Sequence, residues 1–398
     1  MVAKATGVAG FGQAAEDREA ARVFLVGHPV GHSASPALHA AAYDRLGLSC
    51  TYDLADCPAA DDARAFIARG RYAALNVTTP HKATALACAD RRTVAAYLAG
   101  GANLLVRVGN RLVADNVDGL GCVRFLQRQG ADVAGAVVAV CGTGPTTRAI
   151  MHACLMEGAA QVWLVSRSYD RALQTLAGYL DALAAIDRDE RVSASCRPQG
   201  GLPAGLAPSL ELLGTDAFPL TEDTGGEDVI ADAFPDDSRA AASGPVECAP
   251  WVSAPRVTTA QVPTALRASD ALRACDYGSG AAVLARADVV VNATTLGMRA
   301  GDPPPFDPGL LSHSQTVMDA VYAQGDTALV TGARQRGCAA FGGAGMLVAQ
   351  AQVGVIAIAA VAGGAQAAGR ARVDRGLFAA MARAAGFAQL AEGSPRAT

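Results

Sequence analysis

Four short polar clusters in the first third of the chain carry side chains that could bind a small hydroxylated acid. They are HSASP at 32–36, NVTTPHK at 76–82, GGANLL at 100–105 and DNVDG at 115–119. Each falls in a loop or at a strand end, where groups from different elements can converge on one ligand. Taken singly, each cluster also has a purely structural interpretation, such as a helix cap at Ser35. Together, their hydroxyl, carboxamide, ammonium and carboxylate groups suit a carboxylic acid with several hydroxyl groups.

Lys82 and Asp118 are the residues in these clusters that could move a proton. Reduction of a ketone by hydride requires a proton for the new alkoxide, and the reverse reaction requires a base. Partial desolvation of a lysine favours loss of its proton, whereas a nearby carboxylate favours the charged form. We therefore predict that Lys82 and Asp118 are the catalytic pair of a dehydrogenase.

A glycine-containing turn, GTGPTTR at 142–148, follows an apolar strand pattern and precedes a helical pattern. Such a turn can hold a pyrophosphate, because the backbone approaches closely at glycine and the helix N-terminus offers unpaired N–H groups and a positive dipole end. Thr147 replaces the third glycine of the usual fingerprint and Pro145 lacks an N–H donor, so a plain strand-to-helix turn is the alternative. The predicted cofactor contacts in this turn are Gly142, Gly144, Pro145 and Thr146.

The next strand pattern ends in Ser166, Arg167 and Ser168. An acid at this position would hydrogen-bond a free ribose 2′-hydroxyl, whereas a base accommodates a 2′-phosphate. The planar guanidinium of Arg167 suits a phosphate, and the flanking hydroxyls add donors. The sequence therefore predicts that these three residues bind NADP rather than NAD.

Composition bounds the class of protein. With 398 residues, 51% of them hydrophobic and 18% charged, the chain is long and apolar enough for two domains. The net charge of -4 and the absence of a dense basic run argue against nucleic acid as a partner. Ten scattered cysteines without a Cys-x-x-Cys motif favour reduced thiols in a cytoplasm. No metal site is expected, because Pro29 and Gly31 interrupt any helix that could align His28, His32 and His39.

Alternating strand and helix patterns predict an α/β protein with a mostly parallel sheet. A second α/β region opens with the strand pattern AVVAVC at 136–141. Between about 187 and 279 the sequence is rich in Pro, Gly, Ala and acidic residues, which predicts a surface excursion or disorder, with a lid or partner site as the alternative. Regular structure is expected to resume at ADVVVNATTLGM. VGVIAIAAVAGG, starting at Val353, is shorter than the roughly 20 apolar residues of a membrane span and is predicted to form a buried helix.

The order of these motifs resembles the shikimate dehydrogenase family, which also contains quinate/shikimate dehydrogenases. The family has, in order, Ser-x-Ser, N-V-T-x-P-x-K, G-A-x-N-T, N-T-D-G, N-A-T-x-x-G-M, D-x-x-Y and G-M-L-x-x-Q. The matching residues here are Ser33, Ser35, Asn76, Thr78, Lys82, Asn103, Asp118, the NATTLGM segment at 292–298, Asp319, Tyr322, Met346 and Gln350. Two threonines of the pattern are replaced, by Leu104 and Val117, which predicts the loss of two hydroxyls near the pocket.

The resemblance implies a role for each matched residue. Ser33 and Ser35 would bind a carboxylate of the substrate, Tyr322 would lie close to both ligands, and the catalytic pair would be Lys82 and Asp118. Other implied substrate contacts are Asn76, Thr78, Asn103 and Gln350. Implied cofactor contacts near the nicotinamide are Asn292, Ala293, Thr294, Gly297, Met298 and Gly343.

The resemblance also implies the architecture and the reaction. A substrate domain (22–118 plus 346–390) would be followed by a Rossmann-type NADP domain (119–345), with the C-terminal helices returning to the first domain and with 1–21 and 391–398 disordered. The expected reaction is reversible NADP-dependent reduction of 3-dehydroshikimate to shikimate by a cytoplasmic monomer or homodimer. Quinate, an amino analogue of shikimate, and a non-catalytic ligand-binding role are the alternatives.

Overall fold

The computed structural model describes residues 20–188, 265–322 and 325–391, which form two β-sheets with helices around them. The strands are β1 Ala21–Gly27, β2 Cys50–Asp56, β3 Ala74–Val77, β4 Arg91–Arg92, β5 Leu104–Val108, β6 Arg111–Asp115, β7 Val137–Cys141, β8 Gln161–Ser166, β9 Leu272–Asp276, β10 Val289–Asn292, β11 Thr316–Asp319 and β12 Ala339–Phe341. The helices are α1 Ser35–Leu46, α2 Ala60–Ala68, α3 Lys82–Cys88, α4 Val94–Ala99, α5 Asp118–Arg128, α6 Pro145–Met156, α7 Tyr169–Arg188, α8 Ala265–Ala271, α9 Ala281–Leu284, α10 Ala328–Gln335, α11 Ala344–Val373, α12 Leu377–Ala384 and α13 Ala388–Ala391.

The first sheet has the strand order β2-β1-β3-β5-β6-β4. Strands β1, β2 and β3 are parallel, as are β4 and β6, whereas β5 runs antiparallel to both of its neighbours. β5 and β6 are joined by Gly109 and Asn110, and Gly109 has a positive φ of 55°. A two-residue connection joins antiparallel strands only, so this hairpin interrupts the predicted mostly parallel sheet.

The second sheet is parallel throughout and has the order β12-β11-β10-β7-β8-β9. Counted from β7, this is the 3-2-1-4-5-6 order of a dinucleotide-binding fold, in which ligands bind where the strand order reverses. The reversal lies between β7 and β10, at their carboxyl ends. The predicted Rossmann-type second domain is therefore confirmed.

The third strand of this sheet, β9, lies within the range predicted as an insertion. The prediction that regular structure resumes only at ADVVVNATTLGM was wrong, because α8 and β9 precede that segment. β9 is a five-residue edge strand on which Arg273 is exposed, so it lacks the long apolar run of the central strands. The central part of the predicted insertion, 189–264, lies outside the described residues.

The predicted disordered ends also fall largely outside the described residues. The structure corrects their limits by one residue at each side, since β1 begins at Ala21 and α13 ends at Ala391.

Helix α11 returns from the second sheet to the first and packs against α1, α5 and β5. It is longer than its apolar segment suggested, because the flanking Gly, Ala and Gln residues are also helical, and it kinks at Gly364, where φ is 75°. By length and composition α11 could cross a membrane, yet 78% of its most apolar window is buried inside the protein. The predicted buried helix is therefore confirmed. Its first turn approaches α5 closely, since a Cβ at Gly345 would lie 2.0 Å from Cε2 of Phe125.

Candidate functional site

A cleft of about 880 Å³ lies between the two sheets and receives side chains from both. The first sheet contributes the loop after β1, the segment after β3 and the start of α5. The Rossmann sheet contributes the start of α6, the loop after β10 and the segment after β11, and α11 closes one side. Residues from both predicted ligand sites line this cleft, namely Ser33, Ser35, Asn76, Thr78, Lys82, Asn103, Asp118, Thr146, Ala293, Thr294, Met298, Tyr322, Gly343 and Gln350.

Lys82 and Asp118 meet inside the cleft. Lys82 is the first residue of α3, after the turn that follows β3, and Asp118 is the first residue of α5. The Lys82 ammonium contacts the Asp118 carboxylate, and their side chains are only 15% and 4% exposed. Burial at this level removes much of the solvent screening that weakens surface ion pairs. The two groups proposed to handle the proton are therefore held together in a largely dehydrated site.

Asn103 fixes the Asp118 carboxylate from the opposite side. Its Nδ2 donates a hydrogen bond to Oδ1 of Asp118 at 2.7 Å, and its Oδ1 accepts one from the backbone N–H of Val117 at 2.9 Å. The backbone N–H of Asp118 donates to Oδ1 of Asn116 at 3.1 Å. These bonds hold the carboxylate in one orientation, so Asn103 positions the acid as well as offering an amide to the cleft. Asn116 was not among the predicted site residues.

Thr146 extends this cluster from the second domain. Its Oγ1 accepts a hydrogen bond from Nζ of Lys82 at 3.0 Å and donates one to Oδ2 of Asp118 at 2.9 Å. The sequence placed Thr146 in the cofactor turn only, because no motif relates it to the catalytic pair.

The two serines predicted to bind a carboxylate lie at the start of α1. Ser33 Oγ accepts a hydrogen bond from the backbone N–H of Ser35 at 3.2 Å. Ser35 itself does not cap the helix, since Ala34 occupies the N-cap position and Pro36 follows within the first turn. The structural alternative considered for Ser35 was therefore wrong, and its side chain faces the cleft instead. Tyr322 adds a hydroxyl that hydrogen-bonds Ser33, while burial raises the pKa of Tyr322.

Tyr52 and His39 form a layer behind these residues that the motifs did not reveal. The Tyr52 hydroxyl donates to Oδ1 of Asn76 at 3.0 Å and also hydrogen-bonds Ser35. The His39 ring stacks on the Tyr52 ring with centroids 4.2 Å apart. Burial lowers the pKa of His39 to about 3, so this ring is neutral at physiological pH. Only the apolar spacing around Tyr52 on β2 could have hinted at an inward hydroxyl.

Gln350 reaches the site from α11. Its Oε1 lies 3.5 Å from Nδ2 of Asn103, so it is within reach of the same ligand groups. Gly121 permits this approach, because a Cβ there would lie 2.6 Å from Cβ of Gln350.

The two departures from the family motifs differ in their surroundings. Val117 lines the cleft beside Asp118. Leu104 does not: it is fully buried, and a Cβ built at Gly354 would lie 3.9 Å from both Cδ2 of Leu104 and Nδ2 of Asn76. That both substitutions remove a hydroxyl near the pocket stays a prediction. For Leu104 the strand register agrees with it, because Leu104 pairs with the cleft-lining Asn76 across β5 and β3 and directly paired side chains lie on the same face of a sheet.

The glycine turn after β7 has the geometry for close approach of a phosphate group. Gly142 has a φ of 126°, and a Cβ there would lie 2.6 Å from Oγ1 of Thr147. A Cβ at Gly144, by contrast, would meet nothing within 4 Å, so open space lies in front of the turn. Pro145 starts α6, where its missing N–H costs no helical hydrogen bond. Thr147 occupies the position of the third glycine in the usual fingerprint, and its side chain is completely buried.

The end of β8 presents a basic side chain beside this turn. Arg167 is exposed, and its charge acts on the nearby Tyr277. Ser166 Oγ accepts a hydrogen bond from the backbone N–H of Ser168 at 3.4 Å. The exposed guanidinium and neighbouring hydroxyls are the donor set that a 2′-phosphate requires. The residues present therefore fit NADP.

The loop after β10 is built around a buried carboxylate. Asn292 Nδ2 donates to Oδ1 of Asp319 at 2.9 Å, and Thr327 Oγ1 donates to Oδ2 at 2.6 Å. Burial raises the pKa of Asp319. Asn292 Oδ1 accepts from the backbone N–H of Thr294 at 3.0 Å, which directs the following residues toward the cleft. Asn292 thus shapes the loop and does not line the cleft. The other predicted cofactor contacts that do not line the cleft are Gly142, Gly144, Pro145, Ser166, Arg167, Ser168 and Gly297.

This arrangement defines an α/β oxidoreductase in which a Rossmann sheet and a second sheet share one cleft. Comparisons with known proteins agree. Residues 25–105 match the family model of the shikimate dehydrogenase substrate binding domain. The chain is 30% identical over 339 residues to the shikimate dehydrogenase (NADP(+)) of Rubrobacter xylanophilus, covering 84% of this chain and 89% of that protein.

Solved structures share the fold. Shikimate 5-dehydrogenase from Thermus thermophilus, in complex with NADP(H) and shikimate, has a TM-score of 0.57 at 22% identity, covering 88% of this chain and 99% of that chain. Quinate dehydrogenase from Corynebacterium glutamicum, in complex with NAD, has a TM-score of 0.58 at 19% identity, covering 86% and 94%. The chain belongs to the shikimate dehydrogenase family.

Proposed function

We propose that this chain catalyses the reversible NADP-dependent reduction of 3-dehydroshikimate to shikimate. The observation that carries the proposal is the buried contact between Lys82 and Asp118 in a cleft that a Rossmann sheet also lines. The Rubrobacter xylanophilus relative with this activity in its name supports the choice of substrate and cofactor. The proposed substrate and cofactor contacts are the substrate-binding and cofactor-binding residues predicted from the sequence.

When bound, NADPH would supply the hydride. Lys82 delivers a proton to the oxygen of the reduced carbonyl, and Asp118 keeps the ammonium in place and holds a neighbouring ring hydroxyl. Asn103 keeps the Asp118 carboxylate oriented through the bond of 2.7 Å, while Ser33 and Ser35 take the substrate carboxylate. Because the pair is dehydrated, the proton passes to the substrate rather than to bulk water.

Arg167 would hold the 2′-phosphate of the cofactor, and the N-terminus of α6 would hold the pyrophosphate. We further propose the domain extents 22–118 plus 346–390 and 119–345, which group each sheet with the helices that cover it. Cysteines that are free in the described residues support a cytoplasmic setting, with the protein acting as a monomer or homodimer.

The test is NADPH oxidation with 3-dehydroshikimate, compared between the wild type and Lys82→Ala. Turnover should fall by about 100- to 10,000-fold, the usual contribution of general acid–base catalysis, with cofactor affinity unchanged. An Arg91→Ala variant, altered outside the cleft, is the control. A Lys82→Ala enzyme with near wild-type kcat would contradict the assigned role.

A substrate panel separates the alternatives. 3-Dehydroquinate and an amino analogue test the other hydroxy acids, each with NADPH and with NADH. If no compound is turned over with either cofactor, the chain is a non-catalytic ligand binder.

A further inference from the structure

Thr146 brings the Rossmann domain into the proton-transfer cluster. It is the second residue of α6, directly after the glycine turn. Its hydroxyl accepts a hydrogen bond from Lys82 at 3.0 Å and donates one to Asp118 at 2.9 Å, while Lys82 also contacts Asp118. The three groups therefore form a closed triangle that joins the two domains.

Two glycines hold this triangle together by letting the backbones approach. A Cβ at Gly101 would lie 3.0 Å from Cβ of Pro145 and 3.1 Å from Cβ of Lys82, so that glycine lies between the start of α6 and the start of α3. A Cβ at Gly119 would lie 2.1 Å from the carbonyl oxygen of Ala149, so α5 and α6 touch backbone to backbone. The start of α6 therefore lies directly against the segments that carry Lys82 and Asp118.

We propose that Thr146 is a positioning residue for proton transfer. Its hydroxyl fixes Lys82 and Asp118 relative to each other, and it ties their geometry to the helix terminus that would hold the cofactor pyrophosphate. The hydroxyl of Thr146 donates its proton to Asp118. The side chain is therefore held by this hydrogen bond and not by a contact with the cofactor. The inference rests on the proposed function for the reaction that the pair serves.

The kinetic test compares Thr146→Val, which keeps the shape and removes the hydroxyl, with Thr146→Ser, which restores it. In Thr146→Val, kcat should fall by about 10- to 100-fold, the effect of one hydrogen bond to a charged group, while KM for NADPH changes less than about twofold. The solvent isotope effect on kcat should rise, because proton transfer becomes slower. Thr146→Ser should recover most of the rate.

The matched control is Thr331→Val, an identical change at an exposed position of α10. It should leave every kinetic constant unchanged. The proposal is overturned if Thr146→Val retains kcat, if its defect lies only in KM for NADPH, or if Thr146→Ser is as impaired as Thr146→Val, since the last result would indicate a packing role.

A second measurement does not depend on turnover. The chain contains only two lysines, Lys4 and Lys82, against 31 arginines, so amine acylation followed by mass spectrometry reports on Lys82 with Lys4 as the internal reference. Loss of the hydrogen-bond acceptor should accelerate acylation of Lys82 several-fold in Thr146→Val and not in Thr146→Ser. Unchanged labelling would refute the contact. If wild-type turnover is absent but labelling responds, the proposed function fails and the positioning contact stands.

Discussion

Replacement of Asn103 by Asp tests how the site orients its carboxylate. The change keeps the size of the side chain and its acceptor for the Val117 N–H, but it replaces the amide donor that lies 2.7 Å from Oδ1 of Asp118. Two oxygen acceptors then face each other where a donor and an acceptor stood. Both residues are nearly buried, at 6% and 3% exposure, so solvent screens the two charges only weakly.

The magnitude follows from that distance. Two unit charges 2.7 Å apart repel by about 6 kcal/mol at an effective dielectric constant of about 20. If the Lys82 ammonium offsets half of this repulsion, about 3 kcal/mol remain, equivalent to about two pH units. The carboxylates should therefore share one proton, and the protonated oxygen then donates to its neighbour as the amide did.

The expected result is an activity that depends on pH in a specific direction. At pH 8, kcat/KM of Asn103→Asp should be about 10- to 100-fold below wild type, and the deficit should shrink toward pH 6 as the shared proton binds. Because the folded variant keeps a proton that the unfolded chain releases, its stability relative to wild type should also rise as pH falls.

Kinetics across pH 6 to 8 and thermal melting provide the assay. Asn110→Asp, the same change in the exposed turn between β5 and β6, should show neither effect. If Asn103→Asp keeps wild-type activity at pH 8, or if its deficit does not change with pH, the assigned hydrogen bond does not orient Asp118.

Two further predictions concern stability. Gly345→Ala would press a methyl group into the Phe125 ring, so it should lower stability by about 1–3 kcal/mol in a denaturant titration, whereas Gly369→Ala on the same helix, with open space around it, should be neutral or slightly stabilising. Burial lowers the pKa of His39 to about 3 and that of His152 to about 4. The unfolded chain therefore binds more protons below pH 6.5, and stability should fall between pH 6.5 and 5 by up to about 1.4 kcal/mol per pH unit for each histidine. His152→Gln should halve that slope, and an unchanged slope would rule out the buried neutral rings as its cause.

The sequence predicted those features that local pattern controls. The strand and glycine turn at Gly142, and the apolar character of α11, follow from periodicity and turn chemistry, and both appear in the fold. The edge strand β9 was missed because an edge strand buries only some of its side chains and so carries a weak pattern. The contacts of Thr146 and Tyr52 could not be predicted, since each depends on how separate elements approach in space.

The substitutions at Leu104 and Val117 show how structure narrows the question of the substrate. Leu104 begins β5 opposite the cleft-lining Asn76 of β3, so its fully buried side chain lies on the same face of the sheet as that residue. Val117 precedes α5, its N–H is held by Asn103, and its side chain lines the cleft beside Asp118. A substrate hydroxyl directed at Val117 would lack a partner at a cost of about 1–3 kcal/mol, whereas an apolar ring edge would lose nothing. Val117 therefore bears directly on which hydroxy acid fits, whereas Leu104, which does not line the cleft, bears on it through its neighbour Asn76.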